Sequence, residues 1–278
     1  MNVLFTGRGT GGSWAIRGDQ LGGKIGRAKG KATLDDMREA DLIVLVKRPA
    51  PGMIDNISKS GKPWVWDVVD FYPQPACTDW SKDKAIEWVR NQIKAFATLA
   101  VIWPNQRMAD DCGAGAGDLV LYHHHRIGMA RNPVLDAVRV VGYEGGKVLG
   151  KWEKALASLC RERGWKLAVN AGTHADWDVC VAFRDTPFNG YVQRHWKSNV
   201  KLSNCHGSGT PFIGSKESGY TETEAGGEVW CDNIDGLSEA FDAVEPWQYR
   251  SMVSESFLAS AITLDDSANA LNRWLQRV

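Results

Sequence analysis

The sequence lacks the cysteine pattern, the apolar runs and the leader region that mark several specialised classes of protein. Its six cysteines include no C-x-x-C pair, and its 13 tryptophans can build a core without disulfides, so we expect reduced thiols. No apolar run approaches the roughly 20 residues that span a bilayer. Glycine appears within the first seven residues, too early for the apolar region of a signal peptide. These absences predict a soluble, cytoplasmic protein without a membrane partner.

The sequence also lacks an excess of either charge. Its 33 basic and 33 acidic residues give a formal net charge of zero, so no global field favours a polyanionic partner. Basic residues are nevertheless concentrated near the start, where positions 1–33 hold six of them against the single acid Asp19. Such a run is typical of a solvated helix face and less often of a phosphate site.

Short apolar runs alternate with longer amphipathic ones along the chain. The segment 81–96 is the clearest helix, with Ser81 as its N-cap and apolar residues on one face, and the segments 13–28 and 149–164 also have helical spacing. Strands that alternate with helices predict parallel sheets joined by right-handed crossovers. We expect strands at 2–7, 41–46, 63–70, 98–103 and 118–124, and again at 138–146, 166–170, 177–183, 211–214 and 227–231.

Two successive series of this kind predict an α/β protein with two Rossmann-like domains. The linker 126–137 contains glycine and proline and no periodic pattern, so we place the boundary within it. We expect an N-terminal domain at 1–132, a second domain at 133–246 and C-terminal helices at 247–278. Ligands of such sheets bind at the carboxyl ends of the strands, which predicts a site in a cleft between the domains.

The segment WKSNVKLSNCHGSGTPFIGSKESGYTE, residues 196–222, combines a short helix with a glycine-containing turn. Ser198 or Asn199 can cap a helix of about two turns. Lys201 and Asn204 are three residues apart and therefore share one helix face near its start. The unpaired N–H groups of a helix N-terminus suit a phosphate or a ribose hydroxyl. A well-capped connection from helix to strand explains the same pattern equally well.

This segment resembles the donor-binding segment of nucleotide-sugar glycosyltransferases of the GT-B architecture. It is similar to the retaining group whose second domain carries the pattern K-L-x-E-A-x-A-x-G-x-P-V-I, matched here by KLSN and GTPFI. The turn GYEGG (142–146) and the strand end VAFRD (181–185) extend the similarity over the second half of the chain. The resemblance implies two Rossmann-like β/α/β domains facing across a cleft, with the C-terminal helices crossing back to the first domain.

The resemblance also implies roles for individual residues. Arg184 and Lys201 resemble the basic pair that holds the donor diphosphate and stabilises it as it leaves. Asn204 stands where the family has a ribose-binding glutamate, and the family's paired glutamates correspond here to Trp196 and Asn204. An amide accepts ribose hydroxyls more weakly than a carboxylate does. The other donor-binding candidates are Gly11, Gly12, Gly145, Asn199, Glu217, Ser218, Gly219 and Glu222.

The glycine-rich turn TGRGTGGSW (6–14) has no G-x-G-x-x-G spacing and is a weak NAD site. In the glycosyltransferase interpretation it is an acceptor-side loop facing the diphosphate, where Arg8 meets negative charge and Trp14 stacks on a base or sugar. A tight turn between strand and helix accounts for the same residues. Asp67 and Asp70 follow a strand, where a carboxylate can orient or deprotonate an acceptor, although capping the next turn is an equally common role.

Three adjacent histidines, His123 to His125, end the last strand of the first half. In an extended chain His124 faces away from its two neighbours, which is poor geometry for a metal, so we expect no metal site. His124 is a candidate catalytic residue that points into the cleft. A packed or solvated turn is the alternative.

Together these interpretations predict a metal-independent glycosyltransferase that needs no cofactor. It would move a sugar from a UDP- or GDP-linked donor to a hydroxyl acceptor, with electrostatic support of the departing diphosphate. A hydroxymethylated pyrimidine in DNA is one candidate acceptor, as in the base glycosyltransferases of viruses that decorate their genomes, although a neutral net charge weakens affinity for DNA. The alternatives are a nucleotide-sugar epimerase of the same double-Rossmann architecture and a non-catalytic nucleotide-binding protein.

Overall fold

The computed structural model describes residues 1–70, 80–146 and 148–277. The chain divides into two compact units. The first contains Met1–His123, Tyr191–Ser198 and Leu264–Val278, and the second contains His124–Gly190 and Asn199–Thr263. The chain therefore passes from the first unit to the second within the run of histidines, ahead of the linker position expected at 132. It returns to the first unit in two separate segments.

Each unit is built on its own parallel sheet. The first sheet has six strands in the order β2-β1-β3-β4-β5-β6, and the second has five in the order β11-β10-β9-β7-β8. All the paired neighbours run parallel. The strands are β1 (Val3–Gly7), β2 (Arg27–Ala28), β3 (Leu42–Val46), β4 (Trp64–Asp67), β5 (Ala100–Trp103), β6 (Leu119–Val120), β7 (Val140–Tyr143), β8 (Lys166–Val169), β9 (Val179–Ala182), β10 (Phe212–Gly214) and β11 (Val229–Trp230).

Helices follow most of the strands, as the alternation of patterns predicts. A π-helix (Ala15–Gly22) continues α1 into α2, and a 3-10 turn covers His174–Asp176. The α-helices are α1 (Gly12–Trp14), α2 (Gly23–Ile25), α3 (Leu34–Arg38), α4 (Met53–Ser60), α5 (Lys82–Phe96), α6 (Gln106–Cys112), α7 (Lys151–Glu162), α8 (Tyr191–His195), α9 (Val200–Ser208), α10 (Ser218–Thr221), α11 (Leu237–Val244), α12 (Trp247–Ser260) and α13 (Leu264–Leu275).

Alternate residues of one strand supply the two cores of the first unit. In β3, Ile43 and Leu45 join one buried cluster, whereas Leu42 and Val44 join the other. The second cluster also contains Trp274 of α13, so the last helix packs on a face of the first sheet. A parallel sheet covered on both faces has to be apolar at nearly every position, which is why its strands are uninterrupted apolar runs.

Each expected strand is present, although all are shorter than the sequence patterns indicated. The helix expected at 81–96 is α5, and Ser81 caps it as predicted, since its Oγ accepts the Lys84 N–H at 3.3 Å. Of the expected C-terminal helices, α13 belongs to the first unit and α12 to the second. The short strand β2 and the helices α3, α4 and α6 were not expected.

Five of the six cysteines lie within the described residues. Cys112, Cys160, Cys180, Cys205 and Cys231 are free and buried. Cys77, the sixth cysteine, lies outside the described residues. Among the described residues, no helix is both long enough and apolar enough to cross a membrane.

Candidate functional site

Arg184, which follows β9 at the carboxyl edge of the second sheet, is paired with a carboxylate. Its Nε donates to Glu217 Oε1 at 2.7 Å and its Nη2 donates to Oε2 at 3.2 Å. Burial disfavours the charged guanidinium, but Glu217 outweighs it and raises the pKa of Arg184. Glu217 is 2% exposed and precedes α10. The resemblance makes this residue a donor-binding candidate, and in the structure its side chain holds Arg184.

Lys201 is the second cation of this group and lies in the first turn of α9. Its Nζ lies 4.3 Å from the centroid of the Tyr143 ring, in a cation–π contact. Burial and the positive charge of Arg184 lower the pKa of Lys201 to about 8. A lysine with this pKa is largely protonated at neutral pH and gains stabilisation from any anion that binds beside it.

The turn after β7 approaches Lys201 closely. A Cβ atom at Gly145 would lie 2.7 Å from Tyr143 Oη and 3.0 Å from Lys201 Nζ, so a side chain at this position would displace one of them. Asn170 holds the turn in place, because its Oδ1 accepts the Gly145 N–H at 2.8 Å and its Nδ2 donates to the Gly145 carbonyl at 3.0 Å. The structure therefore brings the predicted residues Gly145, Lys201 and Arg184 together.

The two asparagines expected to bind the donor are buried. Asn199 stands at the N-cap position of α9, but its side chain makes no capping hydrogen bond. Asn204 is 1% exposed, and its Oδ1 accepts the backbone N–H of Arg126 at 3.1 Å. The Asn204 amide thus anchors a loop of the second unit.

The remaining donor candidates surround the start of α10. Ser218 is its first residue and is half-buried, and Gly219 is buried. Glu222 is the C-cap residue of the same helix and is also half-buried. The roles expected for all three stay predictions.

A cavity of about 560 Å³ in the second unit was not anticipated from the sequence. Its walls include Arg126, Glu144, Asn170, His174 and Trp177, and the Arg126 guanidinium forms an ion pair with Glu144. Glu144 follows β7 and Asn170 follows β8. Because ligands of parallel sheets bind at the carboxyl ends of strands, these positions could have been identified from the sequence. The volume is within the range of small-molecule sites.

A second cavity, of about 280 Å³, lies at the glycine-rich turn of the first unit. It is lined by Arg8–Trp14 together with Val46, Lys47 and Arg48. Arg8, Gly11 and Gly12 are exposed, and a Cβ at either glycine would meet nothing within 4 Å. Trp14, expected to stack on a ligand, is only 7% exposed and belongs to a core cluster.

Asp70 is fixed by two lysines of the first unit. Lys47 Nζ lies 2.6 Å from Asp70 Oδ1, and Lys197 Nζ lies 3.2 Å from Asp70 Oδ2. The lysines outweigh burial and lower the pKa of Asp70. Lys47 (φ 58°) and Val69 (φ 63°) adopt left-handed backbone at the ends of β3 and β4. Such strained positions are concentrated at functional sites.

Asp67 lies deeper than Asp70 and pairs with a buried arginine. Arg17 Nε is 3.8 Å from Asp67 Oδ2, with side-chain exposures of 0% and 1%, and Arg17 also donates to the Leu121 carbonyl. Burial raises the pKa of Asp67 against the opposing effect of Arg17. A raised pKa makes a carboxylate a stronger base than usual.

The first two histidines of the run are buried, and the third is partly exposed. His123 and His124 are 1% and 0% exposed. His125 Nδ1 lies 2.8 Å from the Arg126 carbonyl, and a Cβ at Gly207 would lie 2.3 Å from the His125 ring, so α9 needs glycine there. The catalytic role expected for His124 stays a prediction.

No family model matches the chain, and no curated protein sequence matches it. Solved structures do match. The Anabaena protein HepE, solved in complex with UDP, aligns over 100% of both chains at 12% identity with a TM-score of 0.64. AviGT4, a glycosyltransferase involved in avilamycin A biosynthesis, aligns over 99% of this chain and 98% of its own at 10% identity, with a TM-score of 0.58.

The chain has the GT-B fold. This confirms the fold inferred from the segment 196–222. The structural likeness also covers the first half of the chain, where the sequence resembles glycosyltransferases of this fold only in the order of its elements. Some of the candidate residues lie where strands end, as expected for parallel α/β sheets: Gly145 follows β7 and Arg184 follows β9.

Proposed function

We propose that this protein is a glycosyltransferase that moves a sugar from a nucleotide-linked donor to a hydroxyl group. The observation that carries the proposal is the cluster of Lys201, Arg184 and Gly145 at the carboxyl edge of the second sheet. Two cations beside a close backbone turn suit a diphosphate. The HepE structure, which shares the fold, contains UDP, and a nucleoside diphosphate is the leaving group that such a cluster would stabilise.

In the proposed transfer, the bond between the anomeric carbon and the diphosphate oxygen breaks, and its electron pair leaves with the diphosphate. A bond forms between the anomeric carbon and the acceptor oxygen, which loses its proton. Lys201 and Arg184 stabilise the charge that develops on the leaving oxygen. Because Glu217 already neutralises part of the charge of Arg184, we assign the larger share to Lys201.

The cavity of about 560 Å³ is the proposed place for the donor nucleoside. Asn170 lines this cavity and also holds Gly145 by two hydrogen bonds. A diphosphate at Lys201 therefore places its nucleoside beside Glu144 and Asn170. We propose UDP or GDP as the nucleotide, with no metal ion needed, since the cations and the backbone N–H groups neutralise the diphosphate.

The first unit is proposed to hold the acceptor. Asp67, whose pKa burial raises, is the candidate base, and Asp70 orients the acceptor between Lys47 and Lys197. The cavity at the glycine-rich turn is lined by Arg8, Lys47 and Arg48, which favours an anionic acceptor. A hydroxymethylated pyrimidine in DNA is the acceptor that we propose to test first.

Donor binding is tested by thermal unfolding in the presence of UDP, GDP, ADP and NAD. We expect UDP or GDP to stabilise the protein, and Lys201→Ala to weaken that nucleotide by about 10- to 100-fold, the worth of a hydrogen bond to a charged group. Lys216→Ala, at an exposed lysine of the same unit, is the matched control. Stabilisation by NAD alone would contradict the proposal and favour an epimerase.

Transfer is tested with radiolabelled nucleotide sugars and a panel of acceptors. The panel contains hydroxymethylated DNA, unmodified DNA and small sugars. We expect label on hydroxymethylated DNA only. Arg8→Ala should reduce both the rate of transfer and its dependence on salt. Arg38→Ala, at an exposed site, should change neither. Label on a small sugar and none on DNA would reject the DNA acceptor while leaving the transferase proposal intact.

A further inference from the structure

Three side chains of metal-ligand type meet inside the second unit. One ring nitrogen of His174 and the sulfur atoms of Cys180 and Cys205 all lie within 4.8 Å of one another. The exposures of these residues are 3%, 1% and 0%. They come from the 3-10 turn, from β9 and from α9, so the cluster forms only when the unit folds.

The chemistry of this set is specific. Thiolate and imidazole ligands bind zinc and other thiophilic cations, whereas magnesium and calcium require oxygen ligands. Zinc lies about 2.3 Å from sulfur and about 2.0 Å from nitrogen in tetrahedral sites, which places the ligand atoms roughly 3.5–3.8 Å apart. The cluster therefore has to contract by about 1.3 Å at most, a distance within reach of small side-chain rotations.

His174 is held in a position suited to a ligand. Its Nε2 is buried and has no hydrogen-bond partner, while its Nδ1 lies 4.0 Å from Glu144 Oε2. A metal-bound histidine usually donates its second ring N–H to a carboxylate, and Glu144 lies near that nitrogen but beyond hydrogen-bond distance. The backbone is fixed as well, because the His174 carbonyl accepts from Asn132 Nδ2 at 3.0 Å and from Thr210 Oγ1 at 2.8 Å.

We propose that His174, Cys180 and Cys205 bind one thiophilic metal ion, for which Zn²⁺ is the expected occupant, with water at the fourth position. The ion would join β9 to α9, the elements that precede Arg184 and carry Lys201, and would stabilise the second unit on binding. This site does not depend on the proposed transferase activity, since its test is a binding measurement.

The test uses the full chain, reduced and stripped of metal with a chelator, and titrated with Co²⁺. We expect one equivalent to produce a sulfur-to-cobalt charge-transfer band in the near ultraviolet, and Zn²⁺ to abolish it by replacing the cobalt. Cys180→Ser and Cys205→Ser should each lose the band. Cys160→Ser, at a buried cysteine of another core cluster in the same unit, should retain it.

Two further measurements keep the proposal open to refutation if the cysteine variants fold poorly. Native mass spectrometry of the unaltered protein should show one zinc ion per chain, and His174→Gln should weaken zinc binding by about 10-fold or more, as expected for loss of a ligand. Three results would each overturn the proposal. The first is the absence of bound zinc, and the second is a charge-transfer band that survives in both serine variants. The third is a Cys180–Cys205 disulfide in a protein that binds no metal after reduction.

Discussion

Both carboxylate oxygens of Glu217 bind the guanidinium of Arg184, with Nε–Oε1 at 2.7 Å and Nη2–Oε2 at 3.2 Å. The positive charge of Arg184 is therefore largely balanced before any ligand arrives. Lys201 has no such bidentate partner in the described structure: it lies over the Tyr143 ring and carries a lowered pKa. The two cations thus differ in role. Arg184 is fixed in place by Glu217, whereas Lys201 is the cation that responds to a bound anion.

Removal of the carboxylate from this pair should destabilise the protein. Glu217→Gln leaves a buried guanidinium without its counter-charge, which costs about 3 kcal/mol, the lower end of the range for a broken buried pair. The lower end applies because the side chain of Arg184 keeps 16% exposure. Urea unfolding measures the loss, and Glu224→Gln, at an exposed carboxylate, is the control.

A double variant separates the pair from each residue alone. Arg184→Met combined with Glu217→Gln should recover part of the stability lost by Glu217→Gln, because no buried charge is left unpaired. If the losses in free energy of unfolding of the two single variants simply add in the double variant, the interaction between Arg184 and Glu217 contributes nothing to stability.

The affinity for a nucleoside diphosphate should fall as the pH rises. The pKa of Lys201 is lowered to about 8, so the ammonium that binds the diphosphate is lost from the free protein above that pH. A bound diphosphate raises the pKa again, so binding takes up a proton, and Kd should rise by up to about tenfold per pH unit. Calorimetric titration with UDP from pH 7 to pH 9.5 measures this slope.

Lys201→Arg supplies the control for that pH dependence, because arginine stays charged throughout this range. Its Kd should be flat between pH 7 and pH 9.5. An equally steep rise in the arginine variant would assign the titration to another group.

The close approach of the turn after β7 makes Gly145→Ala a sharp probe of the donor site. The new Cβ would lie 3.0 Å from Lys201 Nζ and 2.7 Å from Tyr143 Oη, so Lys201 has to move. We expect UDP affinity to fall by about tenfold, or about 1.4 kcal/mol. Gly146→Ala is the matched control, since its Cβ meets only Val148 Cγ1 at 3.9 Å.

Asp67→Asn tests whether the buried carboxylate acts on the acceptor or only balances Arg17. Loss of the charge should lower the free energy of unfolding by about 3–5 kcal/mol, because Arg17 is left buried without its partner. If Asp67 is the base, turnover per folded molecule should also fall by at least about 100-fold with UDP affinity unchanged. Turnover that tracks only the folded fraction would leave Asp67 a structural role alone.

Local signals in the sequence predicted ten of the eleven described strands and the longer helices such as α5 and α7. The apolar runs at β1, β3 and β5 stand out because both faces of a parallel sheet are buried, and Ser81 marks the start of α5 through a contact only three residues away. Short helices such as α3 and α6 escaped prediction because a helix of one or two turns presents too few residues to establish a period.

The resemblance selected candidate residues, some of which lie close together in the structure, but it did not predict their contacts. Lys201 and Gly145 were chosen on resemblance, and the structure brings them together. The amide of Asn204 instead binds the Arg126 backbone, and Trp14 packs in a core. A motif identifies residue types and spacing, but it does not show which partners reach them.

Composition and periodicity alone thus establish an α/β chain with parallel strands, because burial of a strand leaves its mark on consecutive residues. Tertiary structure alone decides the pairing of Arg184 with Glu217 across 33 residues and of Asp70 with Lys197 across 127. It also decides the meeting of His174 with Cys180 and Cys205. A charge or a thiol carries no local signal of its partner, since a partner distant along the chain is brought near only when the whole sheet closes its core.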